Sequence, residues 1–477
     1  MKVIGRTVEQ DVIFQCLESK RPEFLVVFGR RRVGKTYLIK EYFNHRFSFY
    51  TTGIADANTS SQLRSFHQSL IEYGDDLKAA PKDWFEAFSR LKNLLSSPNV
   101  ERDPVSKKRV VFLDELPWMD TARSSFKSAL DYFWNTWGST EEDLLLIVCG
   151  SATSWIMNNI LFDKGGFYNR VTRRIHLRPF NMKECEELLI SNGFRYSRMD
   201  IAKCYMIFGG IPYYLNMMDR RMSVDQNVET LMFRENGELR FEFDYLFRTL
   251  FQHSEKHKEI LTALAEKKGG LMRVELSKVE GIGDGEPLTR ALAELEQCGF
   301  IRKYRNYTKK KQGYFYQVID SFTLYNLYFR EKKGISSWLE YMKTPSYQAW
   351  IGNAFEILCL NHVFAIKSAL RVSGVGSTEY SWRSKLSSPG AQIDLLIDRE
   401  DGIIDICEVK YTGKPFEIKA QYSRQLINKV ETFAEEVKPQ KALHLILISA
   451  NGLVRNEYAG NVMQTITLDD LFSEEMI

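Results

Sequence analysis

FLVVFGRRRVGKT, residues 24–36, decides how the N-terminal part of this chain folds. Five apolar residues in a row, Phe24–Phe28, read as a strand buried on both faces. Gly29-Arg30-Arg31-Arg32-Val33-Gly34-Lys35-Thr36 then fits G-x-x-x-x-G-K-[ST] in full, and a helical pattern, Tyr37–Tyr42, follows. Strand, glycine-rich turn and helix in that order are the setting in which the motif holds phosphate. The glycines let backbone N–H groups wrap the anion at a helix N-terminus. Lys35 is placed to reach the β- and γ-phosphates of ATP, and Thr36 to ligate Mg2+. Arg30, Arg31, Arg32, Val33 and Tyr37 belong to the same turn and complete the candidate nucleotide contacts.

Two further apolar runs, RVVFLD (109–114) and LLLIVCG (144–150), have the length of buried parallel strands. Alternation of such runs with helical stretches over residues 1–220 predicts an α/β sheet with helices on both faces. Asp114 ends its strand as a second Mg2+-shell carboxylate should, and Glu115 beside it can orient or deprotonate the attacking water. Ser151 follows its strand directly; it either senses the γ-phosphate or closes a Gly-Ser turn. In YNRVTRRIHL, Arg170, Arg173 and Arg174 offer either an arginine finger or a solvated basic surface.

FGRRRVGKT, FLDELPWM, IVCGS and FGGIPYYL together resemble the archaeal-type ATPases of the AAA+/STAND class over about residues 1–220. The resemblance implies ATP binding and hydrolysis, in an oligomer or as a switch. It implies that Gly5 and Arg6, in IGRTVEQ, lie near the adenine, although Thr7 departs from the usual acidic residue. It carries the family's arginine onto Arg170, with Asn169 where the family has glycine. Gly209-Gly210-x-Pro212 resembles the start of the family's lid helix.

The whole chain, 477 residues, is too long for one ordinary domain. Its charge of +4, from 65 basic and 61 acidic residues, neither demands nor excludes nucleic acid, so a local patch matters more. The seven cysteines, at 16, 149, 185, 204, 298, 359 and 407, show no C-x-x-C spacing; they read as reduced thiols of a cytoplasmic protein. MKVIGRTVEQ lacks a signal-peptide core, and no apolar run approaches the ~20 residues of a membrane helix.

Three domains are expected, at 1–220, 221–335 and 336–477. In the second, helical patterns at His257–Glu266, Arg273–Val279 and Glu286–Gln297 precede β-rich stretches Phe300–Tyr307 and Gly313–Val318, the order of a winged helix-turn-helix. The helix Glu286–Gln297 carries Arg290 but also Glu286, Glu294 and Glu296, a poor footprint for phosphate. The hairpin offers more: Arg302, Lys303, Arg305 and Lys309–Lys311, interleaved with Tyr304, Tyr307 and Tyr314. DNA is the partner this stripe suits; packing beside the ATPase is the alternative.

In the third segment an apolar helix, Ala354–Ala369, precedes strands Gln392–Ile397 and Ile403–Tyr411, joined at Asp398–Gly402. Glu408 and Lys410 project from one strand face. Pairing 398 with 402 sets 394 opposite 406 and puts Asp394 on that face, unless the register slips by one. Glu356 interrupts AFEILCL and needs a polar partner such as a metal cluster. This arrangement looks like the PD-(D/E)XK nuclease superfamily, a restriction-endonuclease-like α/β fold. The resemblance implies Mg2+ held by Asp394 and Glu408, completed by Glu356, with Lys410 activating water and Gln425 supporting. The competing reading is a nucleotide-switched regulator whose C-terminal segment only binds DNA or protein. A protein-handling AAA+ machine is a third.

Overall fold

The computed structural model describes residues 3–162, 167, 169–251, 254–307, 314–329, 337–384 and 391–473. The basic turn expected at Thr308–Gln312, with Lys309–Lys311, lies outside the described residues. Contacts divide the chain into two compact units, Met1–Arg178 and Pro179–Ile477.

The first unit is built on five parallel strands: β1 (Glu23–Phe28), β2 (Phe49–Thr52), β3 (Arg109–Asp114), β4 (Leu144–Gly150) and β5 (Arg173–His176), in the order β2-β3-β4-β1-β5. Every residue of β1, β3 and β4 is buried, which is what their unbroken apolar runs require. From β1 the chain leaves for the far edge, returns through β3 and β4, and passes over β1 to β5. The order therefore reverses at β1, the position where open α/β sheets bind ligands beyond their strand ends. One face is covered by Trp84–Leu95 and Phe126–Thr136. Trp84, Ala87, Phe88, Leu91, Leu94 and Leu95 recur at helical spacing and are all buried. Trp84 meets Phe126 edge-on at 4.7 Å between ring centres.

The second unit opens with helices Met182–Ser191 and Arg198–Phe208, each started by a reciprocal capping box, at Asn181/Glu184 and Ser197/Asp200. Helices at Ser254–Ala265, Arg273–Leu276 and Glu286–Gln297 fall where the helical spacing puts them. They accompany a small antiparallel sheet of β6 (Leu271–Met272), β7 (Ile301–Arg305) and β8 (Tyr314–Val318), ordered β6-β8-β7. The last five strands form a sheet in chain order: β9 (Ser377–Arg383), β10 (Gln392–Arg399), β11 (Ile403–Lys410), β12 (Ala442–Ser449) and β13 (Gln464–Ile466). Strands β9, β10 and β11 are antiparallel, whereas β12 and β13 run parallel to β11. The helix Ala420–Val437 seals one face through Leu426 and Phe433.

The division at Arg178/Pro179 differs from a boundary at 220, and the two later segments share one unit. The reason is buried polar and aromatic packing across the expected joints. Met182 N–H donates to His362 Nε2 at 3.0 Å. Trp338, fully buried, donates its indole N–H to Asp225 and its backbone N–H to Glu229.

The apolar helix expected over Ala354–Ala369 is two helices, Pro345–Asn361 and Val363–Ala369, bent by 75°. His362 breaks it: Nδ1–H donates to Leu358 O at 2.7 Å while Nε2 accepts from Met182. Burial holds this imidazole neutral, with its pKa lowered to about 4. No single helix among the described residues is long and apolar enough to cross a membrane, and the seven cysteines are buried and outside any disulfide.

Gly210 sits at φ +65°, and a Cβ there would lie 2.3 Å from Phe180 O, whose N–H donates to Gly210 O. Gly210→Ala is therefore expected to destabilise the second unit by about 1–3 kcal/mol, measured as a lowered unfolding midpoint in a thermal or denaturant melt.

Candidate functional site

The turn after β1 has the backbone its glycines permit. Gly29 stands at φ +144°, where a Cβ would come within 2.2 Å of Leu177 O, and Gly34 at φ +93° caps the helix Lys35–Tyr42. The first N–H groups of that helix are directed at the turn. Lys35 is buried, and its ammonium donates to the carbonyls of Gly29 and Arg30 at 2.9 Å each. Arg6, itself buried, braces the turn from behind by donating to Val33 O (3.2 Å) and Arg178 O (2.7 Å). Arg30 and Val33 are buried, while Arg31 and Tyr37 are exposed.

Thr36 Oγ1 donates to Asp114 Oδ2 at 2.8 Å, joining the turn to the end of β3. Asp114 is buried; that burial raises its carboxyl above the usual range, and the charge of Glu115 adds to it. Glu115 takes a left-handed backbone, φ +47°, at the start of a short helix. Its Oε2 accepts from Ser151 Oγ at 2.9 Å and from Ser151 N–H at 3.3 Å. Since β4 runs between β1 and β3, Ser151 comes off the sheet beside the turn and the acidic pair. A hydroxyl and a hydrogen-bonded carboxylate aimed at each other are the donor chemistry of a Mg2+ shell, so Thr36 and Asp114 fit the ion. The Cys149 thiol, buried beside Asp114, had no signal in the sequence beyond its place near the end of β4.

Arg173 and Arg174 lie in β5, in register with Leu25 and Val26, so their backbone is tied to the sheet edge. Arg170 is exposed in the preceding turn. Asn169 stands at φ +57°, the conformation a glycine there would take, and asparagine is among the residues that tolerate it.

In the second unit the C-terminal residues fall into two groups. The β10–β11 register pairs Asp398 with Ile404 and Leu395 with Cys407, a turn two residues wider than a 398–402 pairing gives. Gly402, at φ +87°, belongs to that turn. The register against β9 also shifts between Ile393 and Leu396, a bulge. Ile393 and Leu396, three apart, consequently enter the same apolar cluster. Strict alternation therefore fails at Asp394, and the expectation that it shares a face with Glu408 and Lys410 is corrected here.

Glu408 is gripped on all sides. Its Oε1 accepts from Tyr422 and lies 2.9 Å from Lys410 Nζ; its Oε2 accepts from Lys429. Burial pushes this carboxyl up, but Lys429, Lys410 and Tyr422 outweigh it and hold the pKa at about 2. Asp394 Oδ1 accepts from Gln392. Glu356 keeps a buried Oε1 with no hydrogen-bond partner. Burial first, and then the charge of Asp394, raise its carboxyl well above the usual range, opposed by Lys268 and Arg302. Glu356 and Asp394 have the hard oxygen chemistry of a divalent-cation site, whereas Glu408 offers no free oxygen. Among the described residues no three His, Cys, Asp or Glu side chains form a metal-ligating group.

Gln425 is exposed; the residues of its helix that reach Glu408 are Tyr422 and Lys429. Their spacing of seven, on the stripe of Leu426 and Phe433, was a signal available in the sequence. Arg302 turns inward, donating to Gln317 and Ser381, and so leaves the basic stripe of the hairpin. Arg305 instead bonds the Tyr314 hydroxyl, and Lys303 covers the Tyr314 ring.

Residues 4–218 match the family model described as an ATPase domain predominantly from Archaea. This part of the chain is similar to archaeal-type ATPase domains. The protein MJECL04 of Methanocaldococcus jannaschii is 25% identical over 335 residues, covering 69% of this chain and 68% of that protein. Among solved structures, the Walker-type ATPase PABY2304 of Pyrococcus abyssi is 18% identical, with a TM-score of 0.48 over 68% of this chain and 96% of that one. The ORC2 protein of Aeropyrum pernix, in ADPNP-ADP complexes, is 12% identical, with a TM-score of 0.42 over 76% and 96%.

Lys429→Met should destabilise the chain by about 1–3 kcal/mol at neutral pH, by taking a cation from buried Glu408. Because the Glu408 pKa is depressed, its stabilisation is complete above the ordinary 4.5 and is lost as pH falls toward about 2. Denaturant midpoints of the two proteins should therefore converge as the pH is lowered through that window.

Proposed function

We propose that the ATPase domain hydrolyses ATP as a switch, and that the C-terminal segment is a metal-dependent DNA endonuclease of the PD-(D/E)XK type. The observation that carries the first half is the pair of bonds Thr36–Asp114 and Ser151–Glu115, which join three strand ends around the phosphate turn.

In this reading the amide groups of the turn and Lys35 bind the phosphates, with the ammonium exchanging the Gly29 and Arg30 carbonyls for phosphate oxygens. Thr36 and Asp114 would hold Mg2+, which neutralises charge on the phosphate chain. Glu115 accepts a proton from, or orients, the water in line with the γ-phosphate. Ser151, bonded to Glu115, holds that carboxylate until the γ-phosphate competes for its hydroxyl; it thereby reports which nucleotide is bound. Arg170, presented by the Asn169 turn, is offered to a neighbouring copy as an arginine finger. Lys35→Ala is expected to abolish nucleotide binding. Glu115→Gln should bind a fluorescent ATP analogue normally yet release phosphate roughly 10²–10⁴ times more slowly. Unchanged phosphate release by Glu115→Gln would remove that residue from the mechanism.

The second half rests on the orphaned oxygen of Glu356 beside Asp394. There Glu356 and Asp394 would hold Mg2+, which stabilises charge on a phosphodiester. The middle segment, read as a winged helix, lends Lys303 and Arg305 to the DNA backbone in the cytoplasm. Plasmid nicking that depends on Mg2+ or Mn2+ and is lost in Asp394→Ala is the expected result. Equal nicking by wild type and Asp394→Ala would sink the assignment. The grip of Tyr422, Lys410 and Lys429 on Glu408 favours one second reading, a C-terminal segment that binds without cleaving. That reading is distinguished by DNA retention in a shift assay with no cleavage at any metal concentration.

A further inference from the structure

We propose that Arg302, a residue of the middle segment, is the built-in counter-ion of the Glu356–Asp394 pair and governs divalent-cation occupancy there. The inference deepens the nuclease reading and rests on it for the nature of the ion.

Arg302 is held rigidly. Its Nε donates to Gln317 Oε1 at 2.7 Å and its Nη2 to Ser381 Oγ at 3.2 Å. Ser381 Oγ in turn donates to the backbone carbonyl of Asp394 at 2.6 Å, so two hydrogen bonds link the guanidinium to the Asp394 backbone. A second path runs beside it. Tyr304 OH donates to Gly269 O, and the Gly269 backbone lies so close to β10 that a Cβ would be 2.7 Å from Gln392 Nε2. Gln392 Nε2 is the donor to Asp394 Oδ1. The strand itself is docked by the Asn306–Ser381 bridge and by Tyr307 N–H donating to Ser381 O at 3.2 Å.

Among the described residues Arg302 makes no ion pair, although its side chain is partly withdrawn from solvent. The carboxylates within Coulomb reach of it are Asp394, Glu356 and Glu379. Glu356 likewise has a buried oxygen without a partner, and the cations acting on it are Lys268 and Arg302. A cation and carboxylates partly withdrawn from water still offset one another's desolvation at short range without touching. A metal ion entering between Glu356 and Asp394 meets the fixed charge of Arg302, which opposes it and which cannot swing away.

The test uses the full chain without nucleotide and Mn2+ as the probe, with free Mn2+ followed by electron paramagnetic resonance. Arg302→Met and Arg302→Gln, the latter keeping a side chain that can bond Gln317 and Ser381, should each bind Mn2+ roughly tenfold tighter than wild type. Arg302→Lys, which keeps the charge, should match wild type, and the added affinity should vanish in Arg302→Gln/Asp394→Asn. Isotherms of Arg302→Met and Arg302→Gln that superimpose on wild type would overturn the proposal. So would added affinity that survives in the double variant. A shifted isotherm without Mn2+-dependent nicking in any variant leaves the assignment of Arg302 standing and removes the nuclease reading instead.

Discussion

A strand buried on both faces can keep its polar groups only at its ends, and this constraint arranges the chemistry of both units. In β1, β3 and β4 no residue between the ends is exposed to solvent. The first residues able to take part in reactions are those where the strands stop: Gly29 after β1, Asp114 closing β3 with Glu115 beyond it, and Ser151 after β4. Because the three strands are parallel and adjacent, their ends lie on one edge of the sheet. At the other end of β1, Glu23 is fully buried and needs Thr172 and Arg21 as partners. In the C-terminal sheet Asp394 stands near the start of β10 and Glu408 and Lys410 near the end of β11, while the one carboxylate inside β11, Asp405, is buried and answered by Arg399.

That constraint also marks what could be read without coordinates. The turn at Gly29–Thr36 was legible because strand, glycines and helix leave their own local signals, and the same holds for Asp114 and Ser151 at the ends of apolar runs. By contrast β5, RRIH, is an edge strand with two arginines and a histidine, so no hydrophobic period reveals it. Arg170 stands exposed after Asn169, whose left-handed backbone is one that asparagine tolerates.

In the second unit local signals were misleading wherever tertiary contacts decide the backbone. The run Ala354–Ala369 carries no glycine or proline to mark a break; His362 breaks it because Met182, 180 positions away, supplies a donor to the imidazole. The β10–β11 turn is wider than expected, and a bulge opposite β9 displaces Asp394 from strict alternation. The basic stretch of β7 was ambiguous for a simpler reason. A strand sends alternate residues to opposite sides. Arg302 therefore faces inward and Lys303 outward, although composition alone counts both as one patch.

The two buried glutamates of the C-terminal segment make the last point. Burial acts on Glu356 and Glu408 in the same direction, raising both carboxyls, yet Glu356 ends well above the ordinary range and Glu408 at about 2. The difference lies in direct partners: Glu408 has two ammonium groups and a phenol in contact, whereas Glu356 faces another carboxylate and keeps a bare oxygen. Environments that drive two acids apart in this way give them different tasks. Glu408 is already neutralised by the protein and serves to fix Lys410, Lys429 and Tyr422 in place. Glu356 and Asp394 are the pair whose charge the chain leaves incompletely answered, with Arg302 near but not touching. A proton on Glu356 or a cation bound beside it would answer that charge, and either contends with the cation the middle segment places nearby.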